Sequence, residues 1–325
     1  LSEAKINQYV DTYETLKKAM KWKVFDNKII MTTASMYVMK GKEVKVHPFL
    51  NVAEELKKQA GLFSSMRSHP RFTMAAMLDV SFDEPETKIP KLFDVYQTLK
   101  KEKFKSGTST YIAASTLLNE ESPAEDTAKR AMALYQEMKK EHPFLTGTGD
   151  YPLAVLLALE EQNDMIQRIE SCYDALSRQG LKKGNDLQFL SHILSMGSQE
   201  NPQQLVHRTV EVHDAFKNAG IRPKTMYYPM IGMLALLPAE QVDIAEIHDM
   251  YEQLNGIKHF KWNKDMNVLI AGSFFVSEKL DHAGLAETSL YTSLESILQA
   301  QQAAMIATIT AASAASASAS SSGSN

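Results

Sequence analysis

Apolar residues recur at three- and four-residue steps through most of the chain, which is the spacing of one helix face. Ile89, Leu92, Phe93, Tyr96 and Leu99 mark such a face. The polar segment Lys103–Gly107 interrupts it, and Tyr111, Ile112, Ala114, Leu117 and Leu118 mark a second helix. Thr108, Ser109 or Thr110 is expected to cap that second helix, because a hydroxyl there can accept from the unpaired first-turn N–H groups. The same two-helix grammar returns with Asp150 before Tyr151-Pro152, Asn185-Asp186 before Leu187, Thr225 before Met226 and Asn263 before Lys264. Gly180 and Gly220 stand four residues after Leu176 and Phe216, where a helix-ending glycine is expected.

These pairs recur. Tyr13-Glu-Thr-Leu16, Ala53-Glu-Glu-Leu56, Tyr96-Gln-Thr-Leu99, Tyr135-Gln-Glu-Met138 and Tyr173-Asp-Ala-Leu176 are followed by His213-Asp-Ala-Phe216, Tyr251-Glu-Gln-Leu254 and Tyr291-Thr-Ser-Leu294. Successive members are 38 to 43 residues apart. A period of that size signals stacked supersecondary units, since one helix pair cannot bury its apolar face alone. The predicted fold is therefore all-α: stacked helical-hairpin repeats of about 40 residues, as an open α-solenoid or a closed α/α ring. Residues 1–311 are read as one helical-repeat domain, in which Tyr96, Tyr135, Tyr173 and Tyr251 should be buried between hairpins. Residues 312–325 are an Ala/Ser-rich run without core-forming side chains and are read as a disordered tail.

Composition narrows the class. A formal charge of −4 and a pI near 6.2 give no global basic field, so nucleic acid is not expected as a partner. The Lys17, Lys18, Lys21, Lys23 run reads as a solvated helix face. The single Cys172 excludes an intramolecular disulfide and a cysteine-based zinc cluster, and its apolar setting predicts a buried, inert thiol. No stretch approaches the ~20 apolar residues of a membrane span, and the N-terminus lacks the apolar core of a signal peptide. A cytoplasmic protein without membrane contact is expected.

No nucleotide-binding glycine loop, nucleophile elbow or His-Glu-x-x-His helix is present. His207 with Glu211 and His248 with Glu252 offer two ligands each, too few for a zinc site, so neither metal nor cofactor is expected. Three His-Pro segments lead to Phe49, Phe72 and Phe144; proline should hold the preceding histidine extended, with the phenylalanine plugging a gap between hairpins. Any site is expected where successive second helices begin, because their unpaired N–H groups favour anions. The candidate pocket comprises Arg67, His69, Arg71, Thr110, Tyr111, Asp150, Asp186, His192 and Tyr228. Arg67 and Arg71 would hold an anion, His69 would transfer a proton, and Asp150 or Asp186 would orient a cation or hydroxyl. His192, among Phe189, Leu190, Ile193 and Leu194, reads first as a core histidine.

The segment Phe216-Lys-Asn-Ala-Gly-Ile-Arg-Pro-Lys-Thr-Met-Tyr-Tyr resembles a pentatricopeptide-type unit. Three others, His69-Pro-Arg-Phe-Thr-Met-Ala-Ala-Met-Leu, Thr108-Ser-Thr-Tyr-Ile-Ala-Ala and Gly184-Asn-Asp-Leu-Gln-Phe-Leu-Ser-His-Ile-Leu, are similar to a family of all-helical proteins of about this length from Bacillus-like bacteria. That family is classed as a domain of unknown function, and the resemblance implies a bacterial, cytoplasmic setting without naming an activity. The expected function is a helical-repeat interaction protein that binds a peptide or protein on its concave face. The alternative is a helical enzyme or small-ligand sensor with a polar, anion-binding pocket at clustered helix N-termini.

Overall fold

Fourteen α-helices and no strand form among the described residues of the computed structural model, which are 2–24, 26–120, 123–160, 164–198, 200–282 and 297–298. In chain order they are α1 (Ser2–Ala19), α2 (Asn27–Met39), α3 (Val46–Gln59), α4 (Pro70–Ser81), α5 (Pro85–Lys101), α6 (Thr108–Ser115) and α7 (Ala124–Glu141). They continue with α8 (Tyr151–Leu159), α9 (Met165–Arg178), α10 (Asn185–Gly197), α11 (Pro202–Asn218), α12 (Tyr228–Leu236), α13 (Ile244–Gly256) and α14 (Lys264–His282). Neighbours pack as pairs: α3 on α4, α5 on α6, α9 on α10, α11 on α12 and α13 on α14. The all-α expectation holds. The last recurrence, Tyr291–Leu294, and the tail 312–325 lie outside the described residues.

Odd-numbered helices lead each pair and are amphipathic. α9 buries Met165, Ile169, Cys172, Tyr173 and Leu176, and α11 buries Leu205, Val206, Thr209, Val212 and Phe216. Even-numbered helices are covered almost all round: α12 buries every residue from Tyr228 to Leu236. Caps follow local chemistry at α11 and α13, where Asn201 accepts from Gln203 N and Asp243 from Ala245 and Glu246 N. The cap expected at α6 is corrected: Gly107 takes that position, and Thr110 lies inside the helix, donating to Lys105 O at 2.5 Å. Gly180 (φ +93°) and Gly220 (φ +84°) close α9 and α11 in the left-handed region, with Leu181 N reaching Leu176 O and Ile221 N reaching Phe216 O.

The described residues form two compact units. Unit I takes 7–135 and 147–158; unit II takes 2–6, 136–146, 159–282 and 297–298. In unit I, α2 packs on α4 and α3 on α5, and Tyr37 at the end of α2 donates to Asp79 near the end of α4 at 2.5 Å. The C-terminal ends of these two helices therefore lie side by side. In unit II, α10 packs on α12 and α12 on α14 at close approach. A Cβ on Gly232 would lie 2.4 Å from Leu190 Cδ1, and one on Gly272 would lie 1.9 Å from Met230 Sδ. Residues 2–6 join unit II through Lys5, whose Nζ donates to Phe274 O at 3.3 Å. Tyr96, Tyr135 and Tyr173 are buried as expected, whereas Tyr251 is only half-buried against His248.

A recurrent basic residue closes the other end of the pairs. Lys91 donates to Leu118 O and Glu120 O, Arg130 to Ala158 O, and Arg168 to Ser198 O and Glu200 O. Each cation lies on an odd helix and meets carbonyls at the C-terminal end of the following even helix, where the helix dipole is negative.

Candidate functional site

The second-helix starts are built mainly as joints between successive pairs. In unit I, Tyr111 lies in the first turn of α6, stacks on Tyr96 at 3.8 Å between ring centroids, and places its hydroxyl 2.9 Å from Ser64 Oγ in the α3–α4 loop. Burial pushes the Tyr111 phenol up to about 12, against a smaller pull from Ser64. Tyr151 repeats the device: its hydroxyl accepts from Lys105 N of the α5–α6 loop at 3.2 Å, and its ring meets Phe104 and Tyr135. In unit II, Tyr228 is buried and accepts from Lys182 N of the α9–α10 loop at 3.1 Å. Each tyrosine thus bonds a polar group in the preceding odd-to-even loop.

The predicted anion holders are committed locally. Arg71 is nearly buried; its Nη1 donates to Arg67 O (3.2 Å) and Ser68 O (3.1 Å), its Nη2 reaches Glu54 at 3.5 Å, and its guanidinium lies over the Phe72 ring. Arg67 is exposed and donates to Ala60 O at 3.2 Å. His69 is exposed at the N-cap of α4 and makes no side-chain cap bond. Its backbone is helical (φ −53°, ψ −35°), so the extended conformation expected before Pro70 is corrected. His47, inside α3, is helical too. Phe49 and Phe72 are buried plugs, but Phe144 is fully exposed, which corrects the third of those expectations. Asp150 is half-buried and accepts from Gly147 N at 2.8 Å; burial pushes its carboxyl up to about 6, and the Gly147 bond opposes that. In unit I, then, Arg67, Arg71 and Tyr111 cluster around the Ser64–Arg67 turn, while Thr110 and Tyr151, the residue after Asp150, both bond to Lys105.

Unit II holds Asp186, His192 and Tyr228. Asp186 is half-buried in the first turn of α10. His192 is completely buried, with Nδ1 donating to Gln188 O at 2.5 Å, so Nε2 is the bare nitrogen and lacks a protein partner. Burial, reinforced by nearby His142, lowers its pKa to about 4 despite the Gln188 bond, leaving it neutral at pH 7. The adjacent Gln188 donates through Nε2 to Thr146 Oγ1 at 3.0 Å, while its Oε1 is buried without a partner. Close by is a pair absent from the sequence expectations. His142 Nε2 sits 3.1 Å from both oxygens of Glu170, and its ring packs 4.5 Å from Tyr173. The 28-residue separation of His142 and Glu170 carries no local signal. Cys172 is buried, and burial pushes its thiol up, as an inert cysteine requires.

A cleft of about 410 Å³ lies elsewhere in unit I, lined by Lys42, Glu43, Asp79, Phe82, Asp83 and Glu86 among others, and contains none of the predicted residues. Lys42 Nζ is held there by Asp79 O at 3.0 Å and Phe82 O at 3.4 Å. His207 and Glu211 form an exposed ion pair at 3.3 Å. Among the described residues no group of three or more His, Cys, Asp or Glu is placed to hold a metal.

The geometry therefore names no reaction, and comparison with other proteins leads to the same place. The chain is 36% identical over 308 residues, 93% of each chain, to the "Uncharacterized protein YeaA" of Bacillus subtilis (strain 168). No solved structure matches it. The family described as "Protein of unknown function (DUF4003)" matches residues 12–303, and the chain belongs to that family.

Proposed function

We propose that the chain is a helical-repeat interaction protein of the bacterial cytoplasm that meets its partner through the loops joining odd to even helices. The observation that carries this reading is where large apolar side chains are exposed. Among the described residues they are Trp22, Leu62, Phe63, Phe144, Met226 and Trp262, and every one lies in an odd-to-even loop. Their confinement to one kind of loop, where random scatter would place some on helix faces or on the even-to-odd loops, points to a contact surface there. Helix faces are less suited to the role, because even helices such as α12 keep their apolar residues buried. The repeat arrangement is supported by the 38–43-residue recurrence and by the Ser64–Tyr111, Lys105–Tyr151 and Lys182–Tyr228 bonds, which bring successive odd-to-even loops to the same end within each unit.

A photo-reactive amino acid placed at Phe63, Phe144 or Trp262 tests the reading in cells. Adducts should form from these positions and not from Glu86, in the first turn of α5, or Glu240, in the α12–α13 loop, which lie at the even-to-odd ends of the helices. Equal labelling from all five positions, or none from the loops, would overturn it. One observation favours a small-ligand sensor instead: the buried acceptors Gln188 Oε1 and His192 Nε2 suit a ligand bearing N–H or O–H donors. Thermal stabilisation by a small amide or amine, abolished in Gln188→Leu, would establish that reading.

A further inference from the structure

We propose that the odd-to-even loops dock on an anionic lipid bilayer surface, their aromatic side chains entering the headgroup layer while flanking lysines meet the lipid charge. This inference rests on the loop-edge reading above and names its partner. Unit I presents Lys21-Trp22-Lys23 in the α1–α2 loop and Leu62-Phe63 in the α3–α4 loop. Unit II presents Phe144 in the α7–α8 loop and Lys261-Trp262-Asn263-Lys264 across the α13–α14 junction. Trp22 is 78% exposed, Trp262 84%, Phe144 98% and Phe63 102%. Lys21 Nζ lies 5.5 Å from the Trp22 ring centroid and Lys261 Nζ 5.0 Å from that of Trp262, so cation and ring arrive together.

Within each unit, charge separates the two ends of the helix pairs. Odd helices end in Lys57-Lys58, Lys100-Lys101 and Lys139-Lys140 beside these loops. The even-to-odd loops carry Asp83, Glu84 and Glu120 in unit I, and Glu200, Glu240 and Asp243 in unit II. The α2–α3 loop departs from this with Lys40, Lys42 and Lys45, of which Lys42 is held by neighbouring carbonyls and lies 3.8 Å from Asp83. Acids near the aromatic tips are few: Asp26 follows Trp22 but caps α2 by accepting from Lys28 N, Glu141 precedes Phe144, and Asp265 follows Trp262 but is engaged by Lys224 and Tyr227. In each unit the end that exposes apolar side chains is therefore also the basic one, which calls for an anionic partner.

A bilayer fits better than an acidic protein surface. Protein interfaces use arginine more than lysine and seat their aromatic anchors in closely packed surroundings. Here lysine flanks both tryptophans, and the rings project singly into solvent. A lipid interface accepts such projections without a matching shape; tryptophan and lysine are the residues that settle there. This departs from the expectation of no membrane contact, which rests on the lack of a spanning stretch; no described helix is long and apolar enough to cross a membrane, so the proposed contact is peripheral.

The chain has two tryptophans, Trp22 and Trp262, and both lie on these loops. Trp22→Phe leaves Trp262 as the fluorescent reporter of unit II, and Trp262→Phe leaves Trp22 for unit I. With phosphatidylcholine vesicles containing phosphatidylglycerol, the full chain should co-sediment at low salt and both reporters should shift to the blue. Pure phosphatidylcholine should bind much less, and Phe63→Ser or Phe144→Ser should weaken partitioning by about threefold or more. Failure to co-sediment, or co-sedimentation with both emissions unchanged, would overturn the proposal. So would a blue shift with polyglutamate and none with the anionic vesicles, which would assign the edge to an acidic polypeptide. Inert vesicles alongside loop-specific cross-links in cells would remove the lipid while leaving the loop-edge reading intact.

Discussion

His192 makes the folded protein sensitive to acid in a way that one substitution should remove. The imidazole has no exposed surface, and its folded pKa is about 4 against an ordinary 6.5. Between those values the unfolded chain binds more protons than the folded one. Stability from this group is therefore complete above pH 6.5 and is lost as pH falls towards 4. At ~1.36 kcal/mol per pH unit the full effect is about 3 kcal/mol, of which about 2 kcal/mol is gone by pH 5. Asp150 works the other way: its folded pKa is raised to about 6, so its ionisation destabilises the fold as pH rises from 3.8 through 6. Both proteins in a comparison of wild type with His192→Leu carry Asp150, so their difference isolates the histidine. Leucine is of similar size, gives up the bond to Gln188 O and removes the unpartnered Nε2. At pH 7 the variant should lie within about 1 kcal/mol of wild type. At pH 5 it should have gained about 2 kcal/mol relative to wild type. Urea unfolding followed by circular dichroism at both pH values measures this. Equal losses in the two proteins between pH 7 and pH 5 would refute a buried, neutral His192.

Other perturbations test the joints. Tyr151→Phe and Tyr228→Phe each leave a loop N–H without its acceptor and should each cost about 1 kcal/mol in urea unfolding. Gly232→Ala drives a methyl into Leu190 and should cost about 1–3 kcal/mol. Gly272→Ala should cost less, since flexible Met230 is the neighbour that must yield. Arg168→Ala frees the carbonyls of Ser198 and Glu200, and hydrogen exchange should quicken at the end of α10 while α12 is unchanged.

The helices were legible because their signals are local. Apolar spacing located the pairs, and Gly180 and Gly220 marked helix ends that the left-handed backbone requires. The hydroxyls of Thr108–Thr110 point to a cap on α6, but Thr110 faces inward and bonds Lys105 O, a choice made by tertiary packing that the hydroxyl alone does not reveal. Tyr111, Tyr151 and Tyr228 were visible as polar-tipped residues at helix starts, but their partners lie 46 or 47 residues away, so their joining role was not. Phe144 followed the same His-Pro motif as buried Phe49, and only the fold shows that its loop leaves the ring in solvent. The basic series Lys91, Arg130 and Arg168 was likewise hidden, because its acceptors are backbone carbonyls that carry no residue signature.

Hydroxyl-radical footprinting in intact cells and in purified protein tests directly whether the odd-to-even loops are a contact surface. Oxidation of Trp22, Phe63, Phe144 and Trp262 should be strongly suppressed in cells, while Phe82 at the opposite edge of unit I stays as reactive as in the purified protein. Equal oxidation of the four loop residues in both settings would contradict the account.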